Sequence, residues 1–225
     1  MNRFLLRSVP LILALGLLSL PASASTITFS GATFGQNFTG PVTEAGFTYS
    51  TLSGSLYVDN HGNPGNDMEG CSVCAPSPPG GVLQIVSATP GGTFTFNQLD
   101  FAAYDQSAFA SVSITLEGYL GATLVGADVY TLPGTSTCTG SPCSYSNWTT
   151  EVANVLAGDA LSSLDIVLPA SLNTGTPPPG PETYAAIDNV VLTPTMVTTP
   201  EPGSLMLLGA SLIGLAGLSR RKVAR

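Results

Sequence analysis

Basic side chains are missing from nearly the whole chain. Of 225 residues only 6 are Lys or Arg, and all of them stand at the ends: Arg3, Arg7, Arg220, Arg221, Lys222 and Arg225. Between Ser25 and Thr199 there is neither Lys nor Arg, while 13 of the 14 Asp and Glu lie there. Such an interior cannot track a phosphate backbone, which takes clustered cations, so no nucleic-acid partner is expected. It also lacks the Lys or Arg that meets the phosphates in nucleotide chemistry. Histidine is nearly as scarce. His61 is the only one, which limits any Ser-His-Asp or Cys-His arrangement to a single base, placed in a Gly/Asn-rich loop. Charged residues are 9% in all, against about 25% in an ordinary soluble domain. Hydrophobic residues, at 44%, are ordinary and suffice for a core. The length fits one domain plus processing segments.

The cations that exist mark two addresses. Residues 1–24 read as a secretory signal: Arg3 and Arg7 form the positive start, Val9 to Leu20 an apolar run, and Ala22-Ser23-Ala24 a small-residue cleavage site. The mature chain then begins at Ser25. The alternative, an uncleaved anchor, asks twelve apolar residues to span a bilayer that takes about 20. At the other end, Gly203 to Ser219 is 17 residues without a charge. A helix of that length covers about 25 Å, the short end of what crosses a membrane. Arg220, Arg221, Lys222 and Arg225 follow at once as a stop-transfer signal, cytoplasmic by the positive-inside rule, which leaves the body outside. A buried core helix is the alternative, and it accounts poorly for four adjoining cations.

Immediately before this helix stands Pro200-Glu201-Pro202. Two prolines fix φ and withhold two amide donors, so the segment neither joins a sheet nor extends a helix. Pro-Glu-Pro, an apolar helix and a terminal basic cluster, in that order, resemble the PEP-CTERM sorting tail of exopolysaccharide-producing Gram-negative bacteria. The resemblance covers Pro200 to Arg225. It implies that Pro200, Glu201 and Pro202 are recognised by an exosortase, an integral-membrane cysteine protease-like enzyme, and that residues 203–219 are a temporary transmembrane anchor. It also implies export through an inner-membrane-anchored intermediate to the cell surface or extracellular space. Residues 194–202 serve as the linker to this tail.

From Ser25 to about Thr193 the dominant rhythm is two-residue alternation, the signature of half-buried strands. Val112, Ile114 and Leu116 alternate with Ser113, Thr115 and Glu117. Thr93 to Phe96 and Leu164 to Leu168 behave alike, Ile27–Phe29, Leu56–Val58 and Val82–Val86 are shorter candidates, and Tyr184 to Leu192 reads as a last strand. Glycine pairs supply turns between them. The expectation is an all-β domain over residues 25–193, seven to nine strands in an antiparallel, jelly-roll-like β-sandwich. Ile187 to Leu192 resembles the closing strand of exported sandwich domains, carbohydrate-binding ones among them. Val152, Val155 and Leu156 are spaced for one helical turn at most and are read as a connecting loop.

Four cysteines come as two close sets, Cys71 near Cys74 and Cys138 near Cys143. Export favours structural disulfides, with three pairings open. Zinc binding by four thiolates and a redox C-x-x-C are the alternatives, and the oxidising destination weighs against both. Residues 59–69 hold the densest set of oxygen ligands: Asp59, Asn63, Asn66, Asp67 and Glu69. Calcium takes six to eight oxygens, so this run is a candidate calcium loop, although it departs from the EF-hand pattern at His61 and Pro64. The same residue types also build solvated turns. Trp148 with Tyr145, and Tyr104 with Asp105, are candidate carbohydrate contacts, since sugars stack on aromatic rings and hydrogen-bond to carboxylates. Trp148 as a core plug is the alternative. No pair of carboxylates is singled out by spacing for glycoside hydrolysis. The chain is therefore expected to be a non-catalytic surface or matrix protein working with exopolysaccharide. A carbohydrate-binding module is the second possibility, and a small glycoside-active enzyme a distant third.

Overall fold

Apolar side chains at every second position commit this chain to strands with one dry face. The computed structural model describes residues 23–59, 66–70, 80–105, 111–133, 148–169 and 183–195. They form β1 (Ser25–Ile27), β2 (Gln36–Phe38), β3 (Val42–Glu44), β4 (Phe47–Gly54), β5 (Leu56–Asp59), β6 (Asp67–Gly70), β7 (Gly81–Ser87), β8 (Thr93–Asp105), β9 (Ser111–Leu120), β10 (Thr123–Pro133), β11 (Thr149–Val152), β12 (Ser163–Leu168) and β13 (Thr183–Thr195). No helix occurs among the described residues. All strand pairs are antiparallel. One sheet has the order β11-β8-β13-β6-β5-β2, with β1 also on β13, and the other runs β10-β9-β12-β7-β4-β3.

The two sheets share one apolar core. Val112, Ile114 and Leu116 of β9 are buried beside Leu164 and Ile166 of β12, and Phe96, Leu99 and Phe101 of β8 come from the other sheet. Aromatic edges join the layers. Phe47 of β4 meets Phe94 of β8 edge to face at 5.3 Å, and Phe29 meets Tyr49 at 5.3 Å and 89°. Such pairs add about 0.5–1.5 kcal/mol each beyond area burial.

Thirteen strands among the described residues exceed the expected seven to nine. Two differences have local causes. Phe29 leaves the expected first strand, because the chain turns there with Phe29 at φ +55° and its ring still enters the core. The final strand runs past residue 193 into the expected linker: Pro194 and Thr195 pair with Phe94 and Thr93. There β1 has already ended, so β13 has a single neighbour, and an edge position tolerates proline. The hydroxyls of Thr93 and Thr195 hydrogen-bond across this end.

The expected signal segment up to residue 22, Pro200-Glu201-Pro202, the apolar run 203–219 and the basic tail lie outside the described residues. The expected disulfides fall outside them as well, since Cys71, Cys74, Cys138 and Cys143 all stand in undescribed segments. Among the described residues no helix is long and apolar enough to cross a membrane.

Candidate functional site

Register places several chemistry-bearing side chains of the seven-stranded sheet on its outer face. Asp59 of β5 stands opposite Asp67 of β6, and Asp188 of β13 opposite Asp100 of β8. Because Glu69 faces Ala186 and Met68 faces Ile187, the same register sets Asp67 beside Asp188. Four aspartates thus form a row across four adjacent strands about 4.8 Å apart. Asp67 and Asp188 are buried, at 1% and 0% exposure. Like charges directly opposite oppose each other, and two donors near Asp100 ease this. Asn189 at φ +46° gives its backbone N–H to Asp188 Oδ1 (2.6 Å) and its side-chain amide to Asp100 Oδ2 (2.8 Å). Thr150 of β11 donates to Asp100 Oδ1 at 2.7 Å. Asn189 occupies a register shift of β13, and Asn is among the few residues that accept a left-handed conformation.

The next row on that face is Tyr57–Glu69–Ala186–Ala102, and half-buried Trp148 packs on the two alanines at its end. The sheet therefore brings together three of the five calcium candidates, Asp59, Asp67 and Glu69, and adds Asp100 and Asp188, which sequence spacing did not reveal. Asn66 points elsewhere: its amide donates to the carbonyls of Phe29 (3.2 Å) and Ala32 (3.0 Å). Asn63 lies outside the described residues. Among the described residues no group of three or more Asp, Glu, His or Cys side chains converges as a metal site. Of the carbohydrate candidates, Trp148 is on this face. Tyr104 and Asp105 end β8 with side chains outside the described set, as is the whole of Tyr145.

The six-stranded sheet carries a different group outside. Glu117 of β9 faces Asp165 of β12, which faces Gln84 of β7. Gln84 donates to Asp165 Oδ1 at 3.0 Å, and Tyr119 to Glu117 Oε2 at 2.6 Å. Burial pushes the Asp165 carboxyl above its ordinary range against the pull of the Gln84 amide, and Glu117 pushes it further. The Glu117 hydrogen bond leads in raising the Tyr119 phenol, ahead of burial and nearby charge.

Two other carboxylates are held by backbone and hydroxyl donors. Glu44 Oε1 accepts from the Thr28 amide (2.8 Å), the Thr28 hydroxyl (2.7 Å) and the Ser30 hydroxyl (3.3 Å). Its Oε2 accepts from the Gly31 amide (3.4 Å) and Tyr49 OH (3.3 Å). Burial alone raises this carboxyl, but the donors outweigh it and hold it below the ordinary range. Asp128 on β10, 3% exposed, accepts from the amides of Asn154 (3.1 Å), Val155 (2.7 Å) and Leu156 (3.3 Å), closing the turn after β11.

Comparison with known proteins bears mainly on the tail. Residues 198–222 match the PEP-CTERM protein-sorting motif, so the chain ends in the tail of an exosortase substrate. No curated protein matches the chain. A solved structure with a related trace is a DUF4465 family protein from Bacteroides caccae, 10% identical, with 80% of this chain and 96% of that one covered and a TM-score of 0.36.

Proposed function

We propose that the protein is an exported component of the cell surface or extracellular matrix, a jelly-roll-like sandwich with a structural or adhesive role among exopolysaccharide and no catalytic activity. The sorting motif at residues 198–222 carries this reading. In it, residues 1–24 are removed on export, residues 203–219 hold an intermediate in the inner membrane, and 220–225 stay cytoplasmic. Exosortase-type recognition falls on Pro200, Glu201 and Pro202. Outside the cytosol, Cys71, Cys74, Cys138 and Cys143 are joined as structural disulfides, as an oxidising compartment favours. Polysaccharide as the working partner is supported by outer faces rich in hydroxyls and amides, such as the Ser113–Thr131 and Thr43–Thr48 pairs and Asn97 donating to Thr193. Replacing Pro200-Glu201-Pro202 by alanines is expected to leave a precursor of higher mass in the membrane fraction. Unaltered size and location would remove the assignment.

The second reading is a carbohydrate-binding module, favoured by Trp148 on its alanine shelf. A glycan array showing no binding at millimolar sugar removes it. The glycoside-active alternative draws on the facing pair Glu117 and Asp165; loss of polysaccharide turnover on changing either one is its signature. Calcium at the loop of residues 59–69 is tested by chelation. With the ion bound, a chelator lowers the melting temperature by several degrees, and an unchanged curve strikes calcium from the reading.

A further inference from the structure

One cavity in this anionic body is lined without a single charged side chain. It has a volume of about 200 Å³ and is formed by residues 31–33 and 36–42, where the edge strand β2 of one sheet passes to the edge strand β3 of the other. Its polar lining is Thr33, Gln36, Asn37 and Thr39, hydroxyl and amide groups that donate and accept hydrogen bonds. Neutral hydroxyl and amide groups of this kind match the hydroxyls of a sugar, which both donate and accept.

The loop is built rather than loose. Glu44 gathers Thr28, Ser30, Gly31 and Tyr49 behind it, so that carboxylate is already committed to five donors. The Asn66 amide clamps the carbonyls of Phe29 and Ala32, and the Gly35 N–H donates to Val58 O at 2.9 Å. Thr51 Oγ1 donates to Phe38 O at 2.9 Å, and the Phe38 ring stacks on Tyr49 at 5.5 Å. Gly40 is required where it stands: its φ is +48°, and a Cβ there would meet Ser50 Cα at 2.8 Å. A pre-ordered wall spares a ligand the cost of fixing it.

We infer that this cleft between β2 and β3 binds one neutral sugar unit of a polysaccharide. Size sets the unit: the cavity falls below the roughly 300–1,000 Å³ of sites for larger ligands. Charge sets the selectivity. The 13 acids of the body, with no Lys or Arg among residues 25–199, repel uronate-bearing chains, and the lining offers an anion no cation. The inference rests on the polysaccharide reading above and gives it a site separate from Trp148.

The test is calorimetric titration of the detergent-solubilised full chain with four probes: maltotetraose, cellotetraose, laminaritetraose and tetragalacturonate. At least one neutral probe is expected to bind, with tetragalacturonate about tenfold weaker or more, a difference of about 1.4 kcal/mol. Gln36→Ala and Thr39→Ala, both at exposed positions of the lining, should each weaken the neutral probe about fivefold or more while the melting temperature holds. Undiminished binding in both variants overturns the cleft and leaves the polysaccharide reading standing, its site elsewhere. Equal or tighter binding of tetragalacturonate overturns the neutral selectivity and with it the inference. No binding of any probe to the wild-type chain overturns the inference together with the polysaccharide reading.

Discussion

Glu44 and Asp165 are both carboxylates on strands of the same sheet, and the fold treats them in opposite ways. Around Glu44, at the edge strand β3, two backbone amides and three hydroxyls converge and hold the carboxyl low. At Asp165, in the middle of the outer face, one Gln84 amide must answer both burial and the facing Glu117, and the carboxyl is held high. A body without Lys or Arg cannot offset acids by ion pairs of its own. Where the backbone supplies donors, a carboxylate organises a loop. Where only side chains of a flat sheet surround it, the charge opposes folding.

The contrast breaks hardest where the backbone donors are deepest. Asp128→Ala strands three amides of the turn at 154–156, and the expected loss is about 3 kcal/mol, from about 1–3 kcal/mol per buried donor left unmet. For a body of this size that is roughly 6–12 °C in melting temperature, read by differential scanning calorimetry. A loss below about 0.5 kcal/mol, the range of an ordinary surface change, would show these hydrogen bonds to be dispensable.

Glu44→Gln comes next, at about 1–2 kcal/mol, because an amide accepts at one atom where the carboxylate accepts at two. Its pH dependence has a definite sign. A carboxyl lowered in the folded state contributes stability above its unfolded value, near 4.5, and loses it as pH falls through the folded value. Wild type should therefore lose stability on acidification below about pH 4.5 more steeply than Glu44→Gln, in urea melts across pH 2–7. Parallel curves would contradict the Glu44 account.

The smallest change sharpens the comparison from the other side. Asp165→Asn keeps the oxygen that Gln84 reaches and removes the repulsion from Glu117, with an expected gain of about 0.5 kcal/mol at pH 7. A carboxyl raised in the folded state weakens folding when ionised, and the penalty is relieved as pH falls toward the unfolded value of 3.8. The gain should shrink on acidification, opposite to Glu44. A variant less stable than wild type at pH 7 would reverse the assignment.

Much of the strand pattern was open to inspection before folding. Val112, Ile114 and Leu116 alternate strictly and sit in the core, and Glu117 lies on the outer face as a period of two requires. Edge strands such as β2 and β3 were not legible, because three residues are too few for a periodic signal and turn residues flank them. Residues 67–70 read as ligand-rich loop, yet β5 and β13 recruit them as a strand, and their acids then meet partners as far as about 120 positions away. Asp100 and Asp188 show why: a cross-strand row depends on register, and register is a property of the assembled sheet. The cleft was hidden for a related reason, since the loop at 31–42 is shaped by Glu44, Asn66 and Thr51 from other parts of the chain.

On the proposed export route the mature protein is stripped of both cationic ends. Intact-mass spectrometry of the native protein, recovered from the producing cells and their medium, tests this most directly. The prediction is a dominant species beginning at Ser25 and ending before the basic cluster at Arg220. A full-length chain from Met1 to Arg225, recovered from the cytosol, would contradict it.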